Sequence, residues 1–466
     1  MKRFLLLSLF ALGSSLPAAA QPAPATERPN LIFVMVDDMG YRDIGPYGQK
    51  LIATPHLDRM AREGLTFTQA YVGASVCAPS RSVLMTGQHL GHTRVRGNAG
   101  MSGGVPDHNG ARRVPLEPED ITVAQVLKAR GYVTGMTGKW GLGEPGSTGD
   151  PMFKGFDAWF GFLNQNHAHT HYPDYLWKNQ EKVTIEANVA GKRGQHTHEL
   201  FTNFAFDFIR RHRGRPFFLY LPYTLPHQEM AVPSLGAYAD RPWKQDEKVH
   251  AAMIDLIDRD MGRLFALLQE LGLDEKTVVF FTSDNGGHRR HDGLFDSNAP
   301  FRGLKGDVYE GWLRAPLLVR WPGRIPAGSR SDLPCMFFDV LPTLADLAGA
   351  PPPPGIDGMS LRPTLLGQRQ NSDRMIYWEQ YSGGFQQAVR WNRWKAVRRE
   401  GNPASFELYD LVADVAESRN VAAAHPEVVR QIEAYMTTAH TPSPNWSRRD
   451  ALAPKKASPK KKQAAK

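Results

Sequence analysis

Cysteine is scarce in this chain: only Cys77 and Cys335 occur among its 466 residues. The two could form a disulfide in an oxidising compartment. However, 258 positions separate them, and Cys335 stands at the front of the apolar helix pattern CMFFDVLPTLADLAG. We therefore predict that Cys335 is a buried core residue. Cys77, within ASVCAPSRSVLMTG, needs another explanation.

Long hydrophobic runs are also missing, because no stretch is long and apolar enough to cross a bilayer. The N-terminal segment combines the basic pair Lys2-Arg3, the short apolar run FLLLSLFALG and the small-residue stretch SSLPAAA. This order is typical of a signal peptide, here residues 1–20 with cleavage near Ala20. A membrane anchor is the alternative, and the short apolar run disfavours it. We expect a soluble mature protein in a bacterial-style periplasm or outside the cell.

The excess of positive charge is confined to the two ends of the chain. The formal net charge is +9, yet six lysines lie in the tail PKKASPKKKQAAK and two more basic residues lie in the signal peptide. The remainder is close to neutral, which argues against a nucleic-acid-binding protein. We expect residues 446–466 to form a basic, disordered tail that could contact polyanions. With 41% hydrophobic residues, 43 glycines and 35 prolines, the composition fits a large globular α/β protein.

Strand-like and helix-like segments alternate along most of the chain. After a Pro/Ala-rich linker (21–29), the continuous apolar run NLIFVMV predicts a strand buried on both faces. The segment TPHLDRMAREG predicts a helix with Thr54 as its cap and Pro55 in its first position. Helix and strand pairs follow at ITVAQVLKARG and YVTGMT, at 198–212 and PFFLYLP, and at 246–272 and TVVFFT. This alternation predicts an α/β fold with a large, mixed, mostly parallel sheet sandwiched by helices.

The character of the sequence changes after PPPPG (351–355). Short strand-like pieces follow, MIYWE, QQAVRWNRWKAVR and FELYDLV, and then a helical pattern at 425–437. No internal repeat is evident. We predict an N-terminal domain over 30–360 and a smaller C-terminal α+β subdomain over 361–445, built from a small antiparallel sheet and a helix.

Polar side chains follow four of the predicted strands. They are Asp37-Asp38 after NLIFVMV, Gly138-Lys139-Trp140 after YVTGMT, Pro226-His227 after PFFLYLP, and Ser283-Asp284-Asn285-Gly286 after TVVFFT. Because parallel sheets carry their sites at the carboxyl ends of the strands, these residues should share one rim. The oxygen ligands of Asp37, Asp38, Asp284 and Asn285 suit a hard cation such as Ca²⁺ or Mg²⁺. Ordinary turn chemistry after a strand is the alternative interpretation of each motif.

The segment Cys77-Ala78-Pro79-Ser80-Arg81 resembles the Cys-x-Pro-Ser-Arg signature of type I, arylsulfatase-like sulfatases in the alkaline phosphatase superfamily. The resemblance covers nearly the whole mature chain. The further segments that carry it, in the family's order, are DDMGYRDIGPYG, CAPSRSVLMTGQ, GKWGLG, PHQ, SDNGG, RGLKGDVYEGWLRAPLLVRWPG and ELYDLVADVAESRN. The five-residue signature followed by Thr86-Gly87 is the most specific of these motifs.

This resemblance implies that Cys77 is a cofactor precursor. In the family a maturase oxidises the cysteine to formylglycine, an aldehyde that hydrates to a diol. One diol hydroxyl attacks sulfur beside the metal, and the second lets the sulfated intermediate expel sulfate. The implied metal ligands are Asp37, Asp38, Asp284, Asn285 and the modified residue 77.

The resemblance also implies which side chains serve the sulfate group. A sulfate ester is negatively charged, so an incoming nucleophile needs that charge neutralised. Arg81, Lys139 and Lys305 would supply positive charge, and a helix beginning near Pro79 would direct its positive end at the same place. By analogy with the family, His227 and Lys305 flank the leaving-group oxygen, with His227 as the proton donor.

Position 141 departs from the family pattern. At the positions of Lys139, Trp140 and Gly141 the family commonly has Lys-Trp-His, and this histidine acts as a base beside the diol. This chain has Gly141 in its place. The segment NQNHAHTHYPDYLW offers His167, His169 and His171, and we favour His169 as the substitute. A metal-scavenging or solvent-exposed histidine-rich loop is the alternative.

The natural substrate is not identified by the sequence, but export and two segments rich in aromatic and basic residues, HTHYPDYLWKN and YSGGFQQAVRWNRWK, would suit a sulfated sugar. Packing within the protein is the alternative role for these aromatic side chains. We expect sulfated carbohydrates, with terminal sugar sulfates preferred, and acceptance of small aryl sulfates. One alternative is a phosphatase or phosphonate monoester hydrolase of the same superfamily. Another, of a different class, is a sulfated-polysaccharide-binding protein without catalysis. A nucleotide-binding loop at GMTGKW is disfavoured because the first glycine of that motif is missing and Trp140 replaces its Ser/Thr.

Overall fold

A ten-stranded mixed sheet with helices on both faces is the centre of the fold. The computed structural model describes residues 28–101, 103–107, 110–288, 293–303, 306–382, 384–400 and 406–448. The predicted signal peptide, nearly all of the predicted linker, Lys305 and most of the predicted basic tail lie outside the described residues. Within the described residues, no helix is long and apolar enough to cross a membrane.

Eighteen strands and nine α-helices form within these described ranges. The strands are β1 (Asn30–Val36), β2 (Leu65–Phe67), β3 (Ala70–Tyr71), β4 (Val105–Pro106), β5 (Arg112–Arg113), β6 (Val133–Lys139), β7 (Ala158–Phe162), β8 (Tyr175–Lys178), β9 (Glu181–Thr184), β10 (Phe217–Pro222), β11 (Thr277–Ser283), β12 (Leu317–Arg320), β13 (Ser329–Ser331), β14 (Cys335–Met336), β15 (Met375–Gln380), β16 (Gln386–Trp391), β17 (Trp394–Arg399) and β18 (Glu407–Asp410). The helices are α1 (Pro55–Glu63), α2 (Cys77–Thr86), α3 (Val123–Ala129), α4 (Thr197–His212), α5 (Gln245–Glu270), α6 (Glu310–Leu313), α7 (Val340–Leu347), α8 (Arg362–Leu365) and α9 (Pro426–Ala439).

The strands of the central sheet lie in the order β13-β2-β12-β11-β1-β10-β6-β7-β8-β9. The five in the middle, from β11 to β7, are parallel to one another. Strands β12 and β8 join them on either side in antiparallel orientation. The predicted α/β fold with a mixed, mostly parallel sheet is therefore confirmed, and the four segments predicted as strands, NLIFVMV, YVTGMT, PFFLYLP and TVVFFT, correspond to β1, β6, β10 and β11.

Strand β1 shows why this sheet is covered on both faces. All seven of its residues are buried, and alternate side chains point to opposite faces. Phe33 and Met35 belong to the core that includes residues of α2, α3 and α7, whereas Val34 and Val36 belong to the core with α1, α4 and α5. Each such side chain contributes about 1.5–3 kcal/mol when it is removed from water.

The beginning of α1 differs in detail from the prediction. Thr54 and Pro55 hold the predicted positions, but the Thr54 side chain makes no cap hydrogen bond to the helix. Its Oγ1 instead accepts the Gly45 amide at 2.8 Å. The carboxylate of Asp258, on α5, accepts the amides of His56 and Leu57 at 3.1 and 2.7 Å. The cap therefore comes from a residue about 200 positions away, which local sequence patterns do not reveal.

Cys335 is buried, as predicted, with 1% of its surface exposed, and burial raises the pKa of its thiol. It does not open the helix, however. It lies in β14, where it pairs with Ala70 of β3, and α7 begins five residues later at Val340. Neither Cys77 nor Cys335 forms a disulfide bond, so the two are not bonded to each other.

The C-terminal part forms an antiparallel sheet in the order β15-β16-β17-β18, with α9 packed on one face. Tyr377 and Val389 pack with Ile432 of α9 on that face. Trp378 and Val397 face the other way, into the core shared with the central sheet. The predicted smaller C-terminal subdomain is thus present, and its sheet is clamped between its own helix and the main body.

A buried charge cluster also joins this small sheet to the main body. Lys395 of β17 is fully buried, and its Nζ lies 3.1 Å from Glu310 Oε1 and 3.4 Å from Glu417 Oε1. Glu417 Oε2 accepts the Glu310 amide at 2.8 Å. One ammonium group thus lies between two carboxylates that have little access to water.

Candidate active site

The predicted rim of polar residues forms where four neighbouring parallel strands end. Because β11, β1, β10 and β6 are adjacent, their carboxyl ends meet at one edge of the sheet. This edge brings together Asp37 and Asp38 after β1, Lys139 at the end of β6, His227 after β10, and Asp284 and Asn285 after β11. All six side chains are buried.

Arg81 and Lys139 surround Asp37 with positive charge. The Arg81 Nη2 lies 2.8 Å from Asp284 Oδ2 and 3.2 Å from Asp37 Oδ2, and its Nη1 donates to the Lys139 carbonyl oxygen. The Lys139 Nζ lies 2.7 Å from Asp37 Oδ2. Burial raises the pKa of Asp37, but Lys139, His227 and Arg81 together bring it well below its ordinary value. Asp37 is therefore an anion across the physiological pH range.

Asp38 is held from three directions. Its backbone amide donates to Asp284 Oδ1 at 3.2 Å, and Asn285 Nδ2 donates to its Oδ1 at 2.6 Å. Its Oδ2 lies 3.5 Å from His227 Nε2. The backbone of Asp38 has a φ of +64°, a left-handed conformation in which aspartate and asparagine are enriched. That turn aims the carboxylate back toward the strand ends.

Cys77 is the first residue of α2, and its Sγ lies 3.5 Å from Asp37 Oδ1. The side chain is only 1% exposed. The amide of Ala78 donates to Asn98 Oδ1 at 2.9 Å. The start of α2 thus places residue 77 beside the acidic cluster of Asp37, Asp38 and Asp284. Because a helix N-terminus carries partial positive charge, it also adds to the positive electrostatic potential of Arg81. The structure thus places Cys77 beside the predicted metal ligands.

These residues fit a hard cation. Ligand atoms of Asp37, Asp38, Cys77 and His227 all lie within 4.8 Å of one another. Oδ1 of Asn285 is buried and has no hydrogen-bond partner among the described residues, although buried polar atoms are normally paired. A carboxylate-rich cluster with an unpaired amide oxygen is what an oxygen-coordinated cation requires.

The three histidines after Gly141 occupy different environments. His169 stacks on His227, with ring centroids 4.7 Å apart and planes at 28°. His171 is fully buried, its Nε2 lies 3.0 Å from the His227 carbonyl oxygen, and burial lowers its pKa to about 4. His167 packs on Tyr175 with centroids 4.2 Å apart. Of the three, His169 is the one whose ring contacts a predicted catalytic side chain.

The His227 ring has a defined orientation. Its Nδ1 lies 2.6 Å from the Gln228 carbonyl oxygen, and since a carbonyl only accepts, Nδ1 carries the proton. Nε2 is therefore the atom that gains or loses a proton, and it faces Asp38 in the interior of the site.

Sequence reasoning missed Gln165. Gly141 has a φ of +81°, and a Cβ built on it would lie 1.9 Å from Gln165 Nε2. The amide of Gln165 thus fills the space beside position 141. The one signal in the sequence is that Gln165 lies between two asparagines just before the three histidines, in the segment already singled out.

A second group of possible metal ligands lies at the end of α2. His92 Nδ1 is 3.0 Å from Asp357 Oδ1, and His89 stacks on His92. However, His89 Nδ1 accepts the Gly91 amide at 3.1 Å, which leaves its ring proton on Nε2, the atom that faces Asp357. We therefore interpret this group as a hydrogen-bonded support between α2 and the segment after α7.

Two family models match most of this chain. A model of the sulfatase family matches residues 29–350, and a model described as N-sulphoglucosamine sulphohydrolase, C-terminal, matches residues 304–441. The chain belongs to the sulfatase family. It is therefore a sulfuric ester hydrolase, which sets aside the alternative of a binding protein without catalysis. The family implies a metal-binding site, for which the buried acidic cluster is the candidate.

Individual sulfatases match over most of their length. N-acetylgalactosamine-6-sulfatase of Canis lupus familiaris is 35% identical over 419 residues, which cover 84% of this chain and 74% of that protein. Arylsulfatase A of Homo sapiens is 33% identical over 481 residues, covering 91% and 89%. The crystal structure of Ps i-CgsB in complex with k-i-k-neocarrahexaose is 28% identical, with a TM-score of 0.78, and covers 90% of this chain and 95% of that one.

Proposed function

We propose that this sulfatase is exported and hydrolyses sulfate esters of carbohydrates, with a formylglycine derived from Cys77 as its nucleophile. The observation that carries this proposal is the position of Cys77. A buried thiol at a helix N-terminus contacts Asp37, beside Arg81 and Lys139. A structural cysteine has no need of such charged surroundings, whereas a nucleophile that attacks an anionic ester does.

The modified residue and the metal would supply two parts of the chemistry. Asp37, Asp38, Asp284 and Asn285, together with residue 77, would hold Ca²⁺ or, alternatively, Mg²⁺. When present, the cation contributes a positive charge that polarises a sulfate oxygen, and the hydrated aldehyde contributes an oxygen nucleophile. The Oδ1 of Asn285, which has no hydrogen-bond partner among the described residues, supports this ligand set.

The chain's own residues bind and orient the substrate. Arg81 and Lys139 have donors that sulfate oxygens can accept, and their bonds to Asp37 keep both cations in place. Burial excludes water, which strengthens these interactions. The Lys305 ammonium, which we also assign to sulfate and leaving-group binding, lies outside the described residues.

His227 is the proposed proton donor to the leaving-group oxygen. Gln228 keeps a proton on Nδ1, so a proton delivered to the leaving alcohol would come from Nε2. Asp38 Oδ2 lies 3.5 Å from that atom and helps to orient the ring. His169 stacks on the same ring, and we propose that it takes the role of the base that family members have at position 141.

The carbohydrate substrate is supported by the relatives. The similar Ps i-CgsB was solved with k-i-k-neocarrahexaose, and the similar dog enzyme is named for N-acetylgalactosamine 6-sulfate. We propose that this chain prefers a terminal sugar sulfate. Sulfate release should be faster from short sulfated oligosaccharides than from long intact polymers, and the reverse order would contradict this preference.

Mass spectrometry of the peptide that contains residue 77 tests the central proposal. Protein from a host that contains the maturase should carry an aldehyde in place of the thiol, and Cys77→Ser should lose at least a thousandfold in kcat. Cys335→Ser is the matched control, with full modification of Cys77 and unchanged kcat expected in the protein that folds. Fully active protein with an unmodified Cys77 thiol would overturn the mechanism. Sulfate and phosphate esters assayed side by side separate a sulfatase from a phosphatase.

Export is tested separately. We propose that the mature protein begins just after Ala20 and resides in the periplasm or outside the cell. N-terminal sequencing of the protein from each cell fraction should find this new terminus outside the cytoplasm. A full-length chain retained in the cytoplasm would contradict export without affecting the proposed chemistry.

A further inference from the structure

Gln165 is a buried side chain whose amide has no hydrogen-bond partner among the residues that the structure describes. The residue is 3% exposed, and neither Oε1 nor Nε2 forms a hydrogen bond within the described residues. Buried amides are almost always hydrogen-bonded, because burial without a partner costs stability. A pair of unused polar atoms in the interior is therefore a reason to look for a ligand.

The backbone places this amide beside the end of β6. The amides of Trp140 and Gly141 donate to the carbonyl oxygens of Phe162 and Leu163, both at 2.9 Å. The segment after β7 therefore runs alongside residues 139–141. Nε2 of Gln165 then occupies the position that a Cβ on Gly141 would take.

Both ends of this arrangement contact the active site. Lys139, two residues before Gly141, binds Asp37 at 2.7 Å. His169, four residues after Gln165, stacks on His227. Asn164 Oδ1 accepts the Asn166 amide at 2.7 Å, which fixes the turn that connects the two contacts. Gln165 thus lies on a short, ordered bridge between the sulfate-binding lysine and the proposed proton donor.

We propose that Gln165 is a substrate-binding residue whose Nε2 donates a hydrogen bond to an oxygen of the sulfate group. This assignment rests on the proposed function of the site. Sulfate oxygens only accept hydrogen bonds, so the amide nitrogen is the atom that matches them. In the free enzyme Nε2 has no partner among the described residues, and the bound sulfate would give it one, so the unpaired nitrogen lowers stability in the free state and adds affinity in the bound state.

This role predicts an unusual combination of effects for Gln165→Leu. Leucine has a similar volume and removes two unpaired polar atoms, so the melting temperature should rise by about 1–3 °C. The KM for a sulfate ester and the inhibition constant of inorganic sulfate should both increase about tenfold or more. Gln165→Glu, which places a negative charge there, should raise both constants at least a hundredfold.

Gln387 provides a matched control, since it is equally buried but fully engaged. Its Nε2 donates to the Met436 carbonyl oxygen at 2.9 Å, and its Oε1 accepts from Arg398 Nε at 3.0 Å. Gln387→Leu should therefore lower the melting temperature and leave the inhibition constant of sulfate unchanged. The opposite signs for the two glutamines separate a ligand-binding amide from a structural one.

Failure of the Gln165 assignment and failure of the proposed function would give different experimental results. An unchanged inhibition constant of inorganic sulfate in Gln165→Leu overturns this assignment, whatever the melting temperature. If the wild-type protein hydrolyses no sulfate ester, the proposed function fails. Titration calorimetry with inorganic sulfate then still decides whether Gln165 binds the anion, because equal affinity in wild type and variant overturns the assignment in that case too.

Discussion

The imidazole rings of His169 and His227 stack at 4.7 Å, and His227 Nε2 faces Asp38. Three groups thus hold the His227 ring: His169 on its face, Asp38 at Nε2 and the Gln228 carbonyl at Nδ1. A ring held on its face and at both nitrogens has little freedom to rotate, which is what a positioned proton donor needs.

Substitution of the two histidines by alanine tests their separate roles. His227→Ala should reduce kcat about 10²–10⁴-fold, because it removes the proposed proton donor. His169→Ala should reduce kcat about 10–100-fold if it serves the reaction as base or orients the ring. Steady-state kinetics measures both, with half-exposed His212→Ala as the control. Unchanged turnover in His169→Ala would remove that residue from the mechanism.

Arg81→Lys tests whether catalysis needs the several hydrogen-bond donors of the guanidinium group as well as its positive charge. A lysine keeps the positive charge but cannot bridge Asp37, Asp284 and the Lys139 carbonyl simultaneously. We expect kcat/KM to fall at least a hundredfold for sulfate esters. The exposed change Arg211→Lys should leave it unchanged. Equal activity of Arg81→Lys and wild type would show that charge alone suffices.

Asn285→Leu tests the metal site through an unpaired oxygen. The change removes Oδ1, which has no hydrogen-bond partner in the described residues, and the 2.6 Å bond to Asp38. The dissociation constant for Ca²⁺, measured by titration calorimetry, should increase about a hundredfold, and chelation should inactivate the wild type. Asn371→Leu, at an exposed position, should bind Ca²⁺ as wild type does. Undiminished Ca²⁺ affinity in Asn285→Leu would exclude this ligand.

Glu417 should make stability depend on pH. Burial raises its pKa from 4.5 to about 7, against the lowering effect of Lys395 and with the added repulsion of Glu310. Between these two values the folded chain holds a proton that the unfolded chain has released, so the free energy of unfolding falls as pH rises. At neutral pH the loss should be about 3 kcal/mol.

Urea unfolding of wild type and Glu417→Gln between pH 4.5 and 7.5 measures this effect. Glutamine cannot ionise, so the difference in free energy of unfolding between the two proteins should change steadily across that range. Arg314 and Arg390, which also face Glu310, remain charged throughout and do not add to the slope. A constant difference would show that Glu417 is ionised over the whole range.

Much of the site could be predicted without coordinates. Continuous apolar runs identify strands buried on both faces, and β1, β10 and β11 carry such runs, whereas β6 was predicted from the alternation of helix-like and strand-like segments. Because parallel strands present their carboxyl ends at one edge, Asp37, Lys139, His227 and Asp284 were expected to meet, and they do. The sulfatase signature around Cys77 also predicted the family, which the family models confirmed.

Other features depend on contacts that no local pattern encodes. Asp258 caps α1 from the neighbouring helix, although Thr54 has the usual capping chemistry. Gln165 fills the space at Gly141, a position that looked like a missing histidine. His169 and His171 differ by two residues, yet one stacks on His227 and the other lies beneath its carbonyl group.

Residue type and the spacing of apolar positions were enough to identify the main strands, since these depend on local backbone preferences and on which side chains leave water. The polar motifs, in their order along the chain, were enough to identify the family. Which polar atom meets which partner was decided only when strands far apart in the chain came together. At that point hydrogen-bond geometry, which changes over tenths of an ångström, determined that the Gln165 amide has no partner within the described part of the chain and that Cys77 contacts Asp37.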